Sequence, residues 1–225
     1  MSKLFVVLFA GCMNADHSYT WYYNDLNRFG KLLSTMNGVD AGTLTVLHSD
    51  GSRPFRFGTI TPKVMAGTVS GLLSTLQSIS ASATTDDRFI FVASNHGGAD
   101  GTVSYLWCWD EEPINAARFA QACSGLACRR QAYIFGQCYS GGFIPALAGS
   151  KRVILTGADS TSTTNPSNGE EYTEFLMRVA DSLDKGERRL AYVFATAKAA
   201  DAAGDRPQLS DPGGVGSDAS LLNGP

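Results

Sequence analysis

Residues 89–98, FIFVASNHGG, and residues 132–142, AYIFGQCYSGG, decide the fold of this chain. Each begins with a short uninterrupted apolar run, which is too short for a helix and is typical of a strand buried on both faces. Each run ends in a glycine-containing loop that carries one reactive side chain, His96 in the first loop and Cys138 in the second. The two segments therefore predict parallel strands whose carboxyl ends present a functional site.

Further apolar runs and helical stripes extend this pattern along the chain. The expected strands are Leu4–Phe9, Leu44–Leu47, Phe89–Ala93, Ala132–Phe135 and Val153–Leu155. Helical spacing predicts a helix around Leu26 and a second helix from Pro62, as its first helical residue, to Ile79. Three more helices are expected over 113–123, 170–183 and 187–202. This alternation predicts an α/β fold of three layers, with a mostly parallel sheet of about six strands and helices on both faces.

Length, charge and cysteine content limit the classes of protein. The 225 residues suffice for a continuous core, and we expect one domain over residues 1–210, followed by a C-terminal loop or an edge strand near Leu221 over 211–225. A net charge of −3 without a Lys/Arg cluster argues against nucleic acid as a partner. Five cysteines, an odd number in a chain that needs no disulfides, indicate free thiols.

The N-terminus leaves two localisations open. Lys3 precedes an apolar run, and Ala10-Gly11-Cys12 resembles a lipoprotein cleavage site, which would anchor the chain through a lipid on Cys12. The run is short for a signal segment and is better explained as a buried first strand, so we expect a cytoplasmic protein. No run approaches the roughly 20 apolar residues of a membrane span.

The side chains of His96 and Cys138 are expected at one edge of the sheet, because they follow consecutive strands joined by a single crossover. A thiol is mostly protonated at neutral pH, and a neighbouring imidazole supplies the base that activates it and later protonates the leaving amine. Gly97 allows a substrate carbonyl to come close, so the amides of Gly97 and Cys138 are the expected oxyanion donors. The pattern predicts acyl transfer without a metal or an organic cofactor.

The two loops resemble those of the caspase-like cysteine peptidases, which include caspases, metacaspases, gingipains, clostripain and legumain. A strand ending in His96-Gly97 is followed, about 40 residues later, by one ending in Gln137-Cys138 and then Ser140-Gly141-Gly142, close to the caspase spacing. The similarity is closest to the legumain-like branch. It implies a caspase-like fold and a thiol protease that cleaves proteins or peptides, with Cys138 as nucleophile, His96 as acid/base and Gly97 in the oxyanion hole.

The resemblance leaves the residue preferred before the scissile bond open. Gly136 stands where caspases carry a pocket-shaping Gln or Glu, and the first loop, residues 12–21, lacks the pocket Arg of legumain. In this superfamily the loop after the next strand borders the pocket, so Asp159, Ser160 and Gln137 are the expected substrate contacts. A buried Asp159 would select Arg or Lys through a charge-assisted hydrogen bond.

Supporting roles and competing functions also stay open. Asn14 is the candidate for orienting His96, and His17 is a competing base in the same loop. Only Cys123 and Cys128 lie close together among the cysteines, and structural zinc needs two such pairs, so no metal is expected. A peptide ligase or cyclase would use the same thioester with an amine acceptor. A catalytically silent adaptor would use the fold only to bind a partner, and the oligomeric state is not indicated.

Overall fold

The five expected apolar runs form the centre of a seven-stranded sheet in the computed structural model, which describes residues 2–224. In chain order the strands are β1 (Leu4–Ala10), β2 (Leu44–His48), β3 (Lys63–Met65), β4 (Arg88–Ala93), β5 (Gly97–Asp100), β6 (Val103–Trp107), β7 (Pro113–Asn115), β8 (Arg130–Phe135), β9 (Arg152–Thr156) and β10 (Gln208–Ser210). The large sheet has the order β10-β9-β8-β4-β1-β2-β3 and is parallel except for β10. The predicted three-layer α/β class is confirmed, with seven strands instead of about six.

Helices cover both faces of this sheet. They are α1 (Thr20–Leu33), α2 (Val69–Ser82), α3 (Ala116–Ala122), α4 (Ile144–Leu147), α5 (Glu174–Asp184), α6 (Leu190–Ala200) and α7 (Ser220–Asn223). Successive side chains of β1 point to opposite faces, so Val6 and Leu8 pack with α1, α5 and α6, whereas Val7 and Phe9 pack with α2 and α3. Each central strand is therefore buried on both sides, which explains its continuous apolar sequence.

The register of the strands places the loops that carry His96 and Cys138 at the same edge of the sheet. Phe9 lies opposite Ala93, Ala93 opposite Phe135, and Phe135 opposite Thr156. The four strands β1, β4, β8 and β9 thus end together, and the segments that follow them meet at the carboxyl edge. The small antiparallel sheet β5-β6-β7 begins directly after His96 and forms part of this edge.

Several expected element boundaries were wrong. Pro62 does not begin a helix: Lys63–Met65 pairs with β2 as an edge strand, and α2 begins at Val69 behind Thr68, whose Oγ1 accepts a hydrogen bond from Gly71 N at 3.0 Å. Residues 113–115 likewise form β7, so that helix α3 begins only at Ala116. In each case a local cap or a strand partner outweighs the apolar periodicity.

The C-terminal part of the chain also differs from expectation. The segment around Leu221 is helix α7, and the edge strand is β10, which pairs antiparallel with β9. Leu221 and Leu222 are completely buried in the core on the α1 face of the sheet. The helix expected from residue 170 begins at Glu174, because Glu170 adopts a positive φ of 54° in a turn. Among the helices of residues 2–224, none has the length and apolarity that crossing a membrane requires.

Candidate active site

The loops that carry His96 and Cys138 are in direct contact. Strands β4 and β8 are neighbours, and Gly136 N donates a hydrogen bond to Ala93 O at 2.8 Å where the two strands end. A Cβ atom on Gly97 would overlap the carbonyl oxygen of Cys138 and would lie 2.6 Å from Cγ of Gln137. Only glycine permits this close approach of the two loops. Both reactive side chains line one cleft at the carboxyl edge of the sheet.

Hydrogen bonding defines the tautomer of His96. Its Nε2 lies 3.2 Å from the carbonyl oxygen of His17, and a carbonyl can only accept, so Nε2 carries the proton and Nδ1 is free to act as a base. The rings of Tyr19 and Tyr22 pack edge-on against the imidazole at centroid distances of 5.1 and 5.2 Å. Burial lowers the pKa of His96 below its ordinary value of 6.5. The imidazole is therefore neutral at pH 7.

Cys138 lies at a sharp turn immediately after β8. The next residue, Tyr139, has a positive φ of 57°, and its amide donates to the carbonyl of Ser162 at 2.8 Å. The amide of Thr164 donates to Sγ of Cys138 at 3.4 Å, while Oγ1 of Thr164 donates to the carbonyl of Gly136 at 2.9 Å. Residues 162–164 thus hold the loop that carries the thiol and supply a hydrogen-bond donor to its sulfur.

Cys138 is the cysteine that solvent reaches. Cys12, Cys108, Cys123 and Cys128 are buried, whereas Cys138 is partly exposed. Burial raises the pKa of the Cys12 thiol, and it raises the pKa values of the other three buried thiols to about 12. Those four thiols are packing groups. Within residues 2–224 the structure contains no cluster of three or more His, Cys, Asp or Glu side chains that could hold a metal ion.

The cleft has an aromatic wall and a wall of small side chains. Tyr19, Trp21 and Tyr22 at the start of α1 form the first wall, where the rings of Tyr19 and Trp21 lie 4.3 Å apart. The opposite wall consists of Thr164, Asn165, Pro166 and Thr173. The cleft volume is about 180 Å³, below the roughly 300 Å³ at which pockets for whole small molecules begin. It therefore has room for a single side chain.

Asp25 is a buried carboxyl beneath this cleft that the sequence analysis missed. It is 1% exposed, and its Oδ2 accepts hydrogen bonds from Ser94 Oγ at 2.6 Å and from Thr173 N at 3.1 Å. Burial raises its pKa from 3.8 to about 7, because the carboxyl forms no ion pair within the described residues. One sequence signal could have identified it, since Asp25 lies on the same helical stripe as Tyr22 and Phe29.

The position of Gly97 is compatible with an oxyanion role. Trp107 N donates to His96 O, so the residue pair His96 and Trp107 is hydrogen-bonded, and the next pair, Gly97 and Leu106, is not. The amide of Gly97 is consequently directed away from β6 and is not used in the small sheet.

Two residues of the first loop have roles other than those expected. Asn14 contacts His17 and not His96: its Oδ1 lies 2.7 Å from Nδ1 and 3.2 Å from the backbone N of His17. Asn14 therefore affects His96 only through His17, whose carbonyl oxygen accepts the hydrogen bond from Nε2 of His96. His17 does not line the cleft, so His96 is the histidine that lines it with Cys138.

The expected substrate contacts Asp159, Ser160 and Gln137 do not line the cleft either. The carboxylate of Asp159 accepts hydrogen bonds from the backbone N and Oγ1 of Thr161, which lower its pKa to about 2, and it pairs with Arg206 at 3.6 Å. Ser160 is exposed. Gln137 is completely buried, because its side chain packs against Gly97, whose Cβ position lies 2.6 Å from Cγ of Gln137.

Comparisons with known proteins bear on the fold alone. No family model matches the chain, and no curated protein matches it. Among solved structures, the crystal structure of protein GSU0716 from Geobacter sulfurreducens is similar, with a TM-score of 0.67 and 10% identity over 92% of both chains. At this identity the similarity establishes a shared α/β architecture and carries no statement about activity.

Proposed function

We propose that this chain is a cysteine endopeptidase of the caspase-like superfamily, with Cys138 as nucleophile and His96 as general acid/base. One observation carries the proposal: Cys138 and His96 line the same cleft, and the hydrogen bond from Nε2 of His96 to the His17 carbonyl leaves Nδ1 free to take a proton. The raised pKa values of the four buried thiols support Cys138 as the reacting cysteine.

The reaction begins when Nδ1 of His96 accepts the thiol proton of Cys138. The thiolate attacks the peptide carbonyl carbon and forms an Sγ–C bond, and the amides of Gly97 and Cys138 stabilise the negative oxygen. Collapse of this intermediate breaks the C–N bond, and the imidazolium protonates the leaving amine. His96 then removes a proton from water, which attacks the thioester and releases the acid product and the free thiol.

The resting arrangement favours this sequence for two reasons. The low pKa of His96, caused by burial, keeps the imidazole neutral and able to accept the proton at pH 7. The Thr164 amide lies 3.4 Å from the sulfur and stabilises negative charge as it develops there. The proposal includes peptide or protein substrates and a cytoplasmic location, where a reducing environment keeps Cys138 free.

The proposal is tested with a positional-scanning library of fluorogenic peptides and the variants Cys138→Ala and His96→Ala. The wild-type protein should cleave the library, and each variant should lose at least about 1,000-fold in kcat/KM. Cys123→Ala is the matched control, because it removes a thiol buried away from the cleft and should retain activity. Product masses distinguish hydrolysis from transfer to an amine. A wild-type protein that cleaves nothing, or a Cys138→Ala variant that still cleaves, contradicts the proposal.

A further inference from the structure

The cleft that contains Cys138 is positioned to receive one particular substrate side chain. During attack the substrate carbonyl carbon lies at bonding distance from the sulfur, so the nearest side chain belongs to the residue that contributes that carbonyl. Gly136 and Cys138 form one end of the cleft, and its volume of about 180 Å³ matches a single side chain. The cleft therefore contacts the side chain of the residue before the scissile bond.

Several polar groups of the cleft lining are already engaged within the protein. Thr164 Oγ1 donates to the Gly136 carbonyl at 2.9 Å, and Asn165 Nδ2 donates to Asp205 at 2.8 Å. Both polar ends of the Asn95 amide are also occupied, by Cys12 N and by the carbonyl of Trp107. The rest of the lining is mainly apolar, because Pro166 and the rings of Tyr19, Trp21 and Tyr22 contribute to it.

Within residues 2–224, the cleft also offers no charged group that could pair with a charged side chain of the substrate. Among the described residues that line the cleft there is no Asp, Glu, Lys or Arg. Asp159 pairs with Arg206 in a separate depression, and Asp25 is sealed behind Ser94 and Thr173. A charged side chain would lose its water here without gaining an ion pair, which is unfavourable by several kcal/mol in general.

We propose that the cleft selects an uncharged, apolar side chain of the leucine, methionine or phenylalanine class immediately before the cleaved bond. This inference rests on the proposed peptidase activity and replaces the preference for Arg or Lys expected from Asp159. The rings of Tyr19 and Trp21 supply the apolar surface, and the engaged threonine and asparagine groups on the other wall add no charge.

The first test uses fluorogenic peptides that differ only in the residue before the cut, with Leu, Phe, Asn, Asp and Arg compared by kcat/KM. Leu or Phe should exceed Arg and Asp by at least about tenfold. A preference for Arg, which would indicate cation–π binding to the aromatic wall, or for Asp or Asn overturns the inference and leaves the peptidase proposal standing.

A second readout does not depend on turnover. Peptidyl acyloxymethyl ketones with the same five side chains alkylate the thiol by forming an Sγ–C bond with loss of a carboxylate, and intact mass reports labelling of Cys138. The order of labelling rates should again place Leu and Phe first. Equal rates for all five side chains overturn the inference even if no peptide is hydrolysed, and no labelling by any probe overturns both proposals.

Variants test whether the aromatic wall of the cleft determines the preference for an apolar side chain. Trp21→Ala should reduce the ratio of Leu to Arg labelling about tenfold, and both rates are divided by the rate of alkylation by iodoacetamide, which carries no peptide and corrects for any change in thiol reactivity. Asp159→Asn is the matched control outside the cleft and should leave the ratio unchanged. An unchanged ratio in Trp21→Ala, or a change in Asp159→Asn, contradicts the assignment of the aromatic wall.

Discussion

The buried carboxyl of Asp25 makes a quantitative prediction about stability and pH. Burial raises its pKa from 3.8 to about 7, a difference equivalent to about 4 kcal/mol. Below pH 4 the carboxyl is protonated in the folded and the unfolded chain. Between about pH 4 and pH 7 only the unfolded chain loses the proton, so the free energy of unfolding falls as pH rises. Above pH 7 both states are ionised and the full cost of about 4 kcal/mol is present.

The substitution Asp25→Asn removes this titration and keeps an oxygen that can accept from Ser94 and Thr173. The new NH₂ group needs a partner and costs about 1–3 kcal/mol at every pH. The free energy of unfolding of Asp25→Asn relative to wild type should therefore rise by about 4 kcal/mol between pH 4 and pH 8. At pH 8 the variant should be the more stable protein by about 1–3 kcal/mol, with a Tm at least about 2 °C higher.

Urea unfolding at intervals between pH 4 and pH 8 measures this difference. Asp16→Asn is the control for loss of one negative charge, because Asp16 is exposed in the first loop. A stability difference between Asp25→Asn and wild type that stays constant over this range would refute the reasoning. A difference that changes equally in Asp16→Asn would refute it as well.

Three further outcomes follow from the site. Gly97→Ala places a Cβ against the Cys138 carbonyl and 2.6 Å from Gln137 Cγ, so kcat/KM should fall at least about 100-fold while circular dichroism still reports a folded protein. Because burial lowers the pKa of His96 below 6.5, the acidic limb of the pH profile of kcat/KM should lie below pH 6.5, and a limb above that value contradicts the environment described. Gln137→Met should raise the free energy of unfolding by about 1 kcal/mol, because the amide of Gln137 is buried without a hydrogen-bond partner in the described structure. The control Gln131→Met should lower it, since the Gln131 amide donates to Leu126 O at 3.0 Å.

The sheet could be predicted because its signal is local. Strands buried on both faces are apolar along most of their length, so β1, β4, β8 and β9 are visible as runs of four or more apolar residues, or of three in β9. Edge strands carry no such requirement. β3 has one exposed and two half-buried residues, and β10 is similar. Their positions depend on pairing with a neighbouring strand, which cannot be identified from the local sequence.

The shared location of His96 and Cys138 could be predicted for a similar reason, whereas the residues around them could not. His96 and Cys138 each follow a buried strand within three residues, so their position at the edge of the sheet does not depend on the conformation of the rest of the loop. Asp159 follows the strand β9 in the same way, but its carboxylate is captured by Thr161 in the following turn. The direction of each loop side chain depends on such short-range hydrogen bonds.

In the proposed peptidase, catalysis and selection of the substrate depend on different parts of the chain. The distance between His96 and Cys138 depends on the register of β4 and β8 and on the contact that Gly97 permits. The proposed substrate surface comes from the first turn of α1 and from residues 164–166, which belong to none of the paired strands and are tied to the end of β8 by the hydrogen bonds of Thr164. Substitutions in Trp21 should therefore change the preferred substrate with little loss of thiol reactivity, and substitutions at Gly97 should reduce the rate for all substrates by the same factor. A double variant should show both effects additively, because Trp21 packs against Tyr19 and Tyr22, whereas Gly97 faces Cys138 and Gln137.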